Sequence, residues 1–213
     1  MSYLEILCNN TDNKRINLPK VDYPPDIRYN VNMKKDSSFE IKTIEQIRIA
    51  LPCSNNKYGI PKSVSFAFQK LYKDIVTSIL TTEISADYIL YGMQKAYQEN
   101  KEFSDISYWA QGTSDNNISE WWIFGADGQG DLWLFDTKGK VFFYDHDKEC
   151  MCEENFKCMD IDFLQWLRLA FLFRQYEESD RHTNEDKVEL KNELSKINGN
   201  LIDNLPFDYE LCI

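Results

Sequence analysis

The chain has 213 residues, 43% of them apolar, which suits one domain with a full hydrophobic core. No apolar stretch matches the roughly 20 residues that a bilayer crossing needs, since Ile161 to Phe173 is short and carries Gln165 and Arg168. The net charge of −11 argues against a grip on nucleic acid or anionic lipid, because it repels phosphate.

Residues 1–40 hold Pro19, Pro24 and Pro25 and only short apolar runs, so they read as an N-terminal extension to a domain over 41–213. Apolar residues at 41, 44, 47 and 49 predict a short helix that stops near Pro52. Pro61 suits the first position of a helix, and Val64, Phe68, Leu71, Tyr72, Ile75 and Val76 follow at helical spacing. Ile75 to Thr82 is rich in β-branched residues and reads either as a strand or as more of that helix. Ser85 offers an N-cap for a helix over Tyr88, Tyr91, Lys95 and Gln98, and residues 101–120 read mostly as loop.

The most informative stretch is 121–147, WWIFGADGQGDLWLFDTKGKVFFYDHD. Trp121 to Phe124, Leu132 to Phe135 and Val141 to Tyr144 are apolar on both alternating faces, which predicts three central strands covered on both sides. Gly125, Gly128 and Gly130 punctuate the first connection, and Lys138-Gly139 marks the second, so two consecutive antiparallel hairpins follow. Asp162 with Gln165 three residues on makes a capping box, opening a core helix within 160–178 that is apolar nearly all round. Leu190, Leu194 and Ile197 then line one face of a last helix over 184–198, ending near Gly199. The fold class expected is α+β, a central antiparallel sheet flanked by helices.

Ile123-Phe124-Gly125, Asp127-Gly128-Gln129-Gly130-Asp131-Leu132-Trp133 and Lys140-Val141-Phe142-Phe143-Tyr144-Asp145-His146-Asp147, with the later Asp162-Phe163-Leu164-Gln165-Trp166-Leu167, resemble the SUKH superfamily. This superfamily includes Syd and the Smi/Knr cell-wall-assembly regulators, and the resemblance spans about residues 60–178. It implies a structural signature without a catalytic residue, no cofactor and, in bacteria, an immunity protein that neutralises a cognate toxin by binding it. The alternative it implies is a regulatory scaffold of the Smi/Knr type.

The six cysteines are Cys8, Cys53, Cys150, Cys152, Cys158 and Cys212. The start MSYLEILCNNTDNKR lacks the basic end and apolar core of a signal peptide, so reduced thiols and a cytoplasmic location are expected. His146, Cys150, Cys152 and Cys158 offer a nitrogen and three sulfurs, but without the paired spacing of zinc knuckles, and no metal is assigned to them. The run Asp127 to Asp131 is similar to a calcium loop, yet Lys138 stands where the closing bidentate glutamate belongs, so it reads as a turn. A hydrolase would have to be built on His146, which lies between Asp145 and Asp147 with no catalytic motif around it.

Charge is spread unevenly along the chain. Residues 121–213 carry twenty acids against ten bases, so ten of the eleven excess negative charges sit in the half that holds the hairpins. The densest run is Asp145 to Asp162, with seven acids and two lysines. Asp145, Asp147, Glu149, Glu153, Glu154 and Asp160 are therefore the candidate partner-binding residues, suited to a basic protein surface such as a toxin domain, of which nucleases are one class.

Overall fold

In the computed structural model, which describes residues 39–148, 150–179 and 182–207, six strands pair in chain order into one antiparallel meander. They are β1 (Thr82–Ser85), β2 (Tyr88–Leu90), β3 (Trp121–Ala126), β4 (Leu132–Asp136), β5 (Val141–Tyr144) and β6 (Phe156–Cys158). The fold is α+β, as the sequence predicts. The two hairpins expected over 121–144 are the β3–β4 and β4–β5 pairs, with Trp122 opposite Phe135 and Trp133 opposite Phe143.

Seven helices accompany the sheet in the described residues: α1 (Ile44–Ala50), α2 (Lys70–Val76), α3 (Met93–Phe103), α4 (Asp115–Ile118), α5 (Phe163–Glu177), α6 (Asn184–Ile197) and α7 (Leu201–Asn204). α5 starts where the capping box places it, with Gln165 N donating to Asp162 Oδ1 at 2.9 Å and Asp162 N donating to Gln165 Oε1 at 3.0 Å. Its Phe163 and Trp166 rings pack on Phe124 and Phe135 or Trp133 of the sheet. Its opposite side meets α6, whose last carbonyl at Ile197 accepts from Gln165 Nε2 at 2.9 Å. A helix held between a sheet and another helix has no wet face, which is why α5 is apolar all round. No helix among the described residues is long and apolar enough to cross a membrane.

The other face of the sheet is covered by α3 and the segment after it. Trp109 packs on Phe103 of α3 at 4.8 Å and on Phe156 of β6 at 5.8 Å, and Phe156 in turn meets Trp121 at 4.7 Å. Coverage on both faces makes the central strands aromatic throughout. Phe39 is buried with its ring tilted against Tyr176 of α5, and Glu40 exchanges backbone hydrogen bonds with the Gln175 carboxamide. The rest of the expected extension, residues 1–38, lies outside the described residues.

Three expectations are corrected or resolved. The helix predicted from Pro61 begins only at Lys70; residues 61–69 are non-helical, and Val64, Phe66 and Phe68 turn inward alternately with exposed Ser65, Ala67 and Gln69. Period two wins because Phe66 and Phe68 pack on Trp122, at 6.0 and 4.7 Å, and a helix would turn Phe66 away. The helix predicted from Ser85 is instead a hairpin: Ser85 pairs with Tyr88 across the two-residue turn Ala86-Asp87, and helix α3 waits until Gly92. The ambiguous stretch 75–82 divides, with α2 ending at Val76 and β1 starting at Thr82.

Candidate functional site

In a meander, alternate connections emerge at the same end. The Ala86-Asp87 turn, the Asp127 to Asp131 turn and the loop after Tyr144 therefore share one end of the sheet, and α5 brings its C-terminal Glu177 to the same place. Acidic side chains from four separate segments meet there.

The Asp127 to Asp131 turn is built around a carboxylate. Asp127 is buried, and its Oδ1 accepts from the backbone N–H of Gln129, Gly130 and Asp131 at 2.8, 2.7 and 2.8 Å. Gly130 has φ 103°, which a side chain would strain. A Cβ on Gly128 would come within 3.1 Å of Ala86 O, so that glycine lets the first turn lie against the second. The carboxylate thus points onto its own loop's amides, a use that the turn reading of these residues anticipates.

Asp131 ties the second turn to the third connection. Its Oδ1 accepts from His146 N at 2.8 Å and lies 2.5 Å from His146 Nδ1, while His146 Nε2 is 3.5 Å from Asp147 Oδ1. The hydrogen bond to Asp131 raises the imidazole pKa above its ordinary value, against a smaller opposing effect of desolvation. With a carboxylate at each nitrogen the ring favours the charged form, which is poorly suited to accept a proton as a general base. Among the described residues, Asp131, Asp145 and His146 bring ligand atoms within 4.8 Å of one another; the three cysteines named with His146 are not in that group. Nδ1 of His146 and Oδ1 of Asp131 are hydrogen-bonded to one another in this arrangement.

Asp87 and Glu177 complete this end. Glu177 Oε1 accepts from Ala86 N at 3.1 Å, and burial, followed by the charges of Asp87 and Glu83, raises its pKa. Burial also raises Asp87, with Asp127 and Asp131 adding repulsion. The Asp87 carbonyl accepts from Trp133 Nε1 at 3.0 Å, anchoring the turn to the aromatic core.

The six predicted partner-binding residues do not all meet. Asp145 and Asp147 lie at this end, Asp147 almost fully exposed at 87% and Asp145 with its Oδ1 accepting from Asp147 N at 2.9 Å. Glu153 and Glu154 follow in the same connection on a short 3-10 turn, exposed, with Glu153 accepting from Asn117 Nδ2 at 3.0 Å. Glu149 lies outside the described residues. Asp160 falls at the far end of β6, where its carboxylate accepts from Lys140 Nζ at 2.8 Å. Sequence reasoning missed Asp87, Asp127, Asp131 and Glu177. The hairpin pattern places Asp131 and Asp145 at one end, but Asp87 was hidden by the helical reading of its segment.

Comparison of the chain with family models, with curated proteins and with solved structures gives no match.

Proposed function

We propose that this protein is a non-enzymatic binding protein of the SUKH type, an immunity protein whose acidic end docks on a basic toxin domain and covers its active site. The observation that carries the reading is the gathering of Asp87, Asp131, Asp145 and Asp147 at the connections of one meander. Carboxylates fixed in place lose little freedom on binding, and their summed field speeds encounter with a cationic surface. His146, with a carboxylate near each ring nitrogen, supports binding over proton transfer at this end.

The test is to capture partners from lysate of the same organism with the purified protein and to co-express any basic toxin domain so found. Neutralisation requires that the two proteins co-purify, that growth is restored, and that association slows as ionic strength rises. A complex that forms without restoring growth would point to regulatory scaffolding, and absence of any complex would refute the immunity reading.

A further inference from the structure

Cys150 and Cys152 stand two residues apart, at a spacing that puts both side chains on one face of an extended chain. Their Sγ atoms lie 3.3 Å apart at the protein surface, Cys150 exposed and Cys152 half-buried.

This proximity is imposed by the backbone. The carbonyls of three consecutive residues are each held: Cys150 O by Asn155 Nδ2 at 2.7 Å, Met151 O by Ala110 N at 3.0 Å, and Cys152 O by Asn155 N at 3.0 Å. Cys152 is extended, with φ −154° and ψ 158°. In extended backbone, residues two apart project to the same side, so pinning these carbonyls keeps both thiols facing one another. Closing to a disulfide needs the sulfurs to approach to about 2.05 Å, a movement of roughly 1.2 Å that side-chain torsions can supply. Cys53 sits beside Ile79 in a bridge outside the sheet, and Cys158 lies opposite Phe142 on β6.

From this geometry we infer that Cys150 and Cys152 form a modification site, a dithiol that small disulfides of the glutathione class convert to an intraloop disulfide. The Cys150 thiolate attacks one sulfur of the small disulfide, forming a mixed disulfide and releasing one small thiolate. Cys152, after losing its proton to solvent, attacks the Cys150 sulfur, and the second small thiolate leaves. Two protein thiols are oxidised, one small disulfide is reduced to two thiols, and the two protons end on those thiols. The order follows from the surroundings: burial, then the hydrogen bonds with Cys150 and Glu154, push the Cys152 thiol up to about 11, so the exposed Cys150 reacts first. In the mixed disulfide Cys150 can no longer carry a negative charge, so its repulsion of a Cys152 thiolate is gone for the second step.

The experiment equilibrates the full-length protein in glutathione buffers of increasing oxidised fraction, blocks free thiols with iodoacetamide and maps peptides by mass spectrometry. In wild type, the peptide holding both residues should lose two hydrogens and escape alkylation. Cys152→Ser should stop at a stable glutathione adduct on Cys150, and Cys150→Ser should leave Cys152 free to be alkylated. Persistence of the adduct on Cys150 in wild type, pairing of either residue with a different cysteine, or full alkylation of both at every ratio would each overturn the assignment.

Discussion

The carboxamide of Asn100 takes the place of a strand beside Ile123. Its Nδ2 donates to Ile123 O at 2.7 Å, and its Oδ1 accepts from Ile123 N at 2.8 Å. β2 pairs with β3 at Ala126 and Gly125, and Tyr91 N donates to Phe124 O at 3.0 Å, after which Gly92 turns the chain into α3 and leaves the β3 edge open. α3 then returns Asn100 to that edge, satisfying both backbone groups of a buried residue.

Asn100→Leu, of similar shape but without hydrogen-bonding groups, should lower stability by about 2 to 5 kcal/mol, since two buried backbone groups lose their partner. Asn100→Asp should also destabilise, because a carboxylate cannot donate to Ile123 O. Urea melts measure both, and a midpoint shared with wild type would show that water replaces the side chain.

Gly125→Ala should cost roughly 1 to 3 kcal/mol, because a Cβ there would lie 2.4 Å from Ile89 O, a backbone atom that moves only by parting β2 from β3. Gly59→Ala, with nothing within 4 Å of its Cβ, serves as the neutral control. Equal melting temperatures for the two variants would contradict the close approach.

Trp133→Ala should destabilise by roughly 3 to 5 kcal/mol, since the side chain is fully buried among Tyr88, Phe143 and Trp166. Trp133→Phe keeps a ring but loses the hydrogen bond to Asp87 O, so it should cost less and act chiefly on the acidic end. Hydrogen exchange would register the second variant as faster opening of the Ala86-Asp87 turn.

His146 has its folded pKa raised, chiefly by the hydrogen bond to Asp131. Its contribution to stability is therefore fully present below the unfolded pKa of about 6.5 and is lost as pH rises through the folded value. His146→Gln should accordingly lose more stability relative to wild type at pH 5 than at pH 9. Nuclear magnetic resonance titration of the imidazole should also show its pKa fall in Asp131→Asn; an unmoved pKa would separate the two residues.

For the proposed partner, Asp145→Lys with Asp147→Lys should slow association at low salt, with the defect shrinking as salt is added. Asp160→Lys, at the other end of β6, should leave association unchanged. Equal slowing by both changes would mean that net charge matters and that this end of the sheet has no special part.

Short-range rules account for what the sequence determined unaided. Three central strands, the turns at Gly130 and Gly139, the capping box of Asp162 with Gln165 and the helix over 184–197 all follow from torsions or hydrogen bonds between residues a few positions apart, whereas α7, Leu201–Asn204, lies beyond the helix that the sequence reads as the last. The same rules misread 61–69 and 85–92, while Lys95 and Gln98 do lie on a helix, α3. There Val64 and Phe68 satisfy helical spacing and alternation equally well, and Ser85 is as good a cap as it is a strand end. Trp122 decided the first case by packing on Phe66 and Phe68, and the β3 edge decided the second by pairing with Ile89 and Leu90. The acidic end belongs to the same category: Asp87, Asp131 and His146 are distant in the chain, and only the direction of each strand brings their charges together while carrying Asp160 to the opposite end.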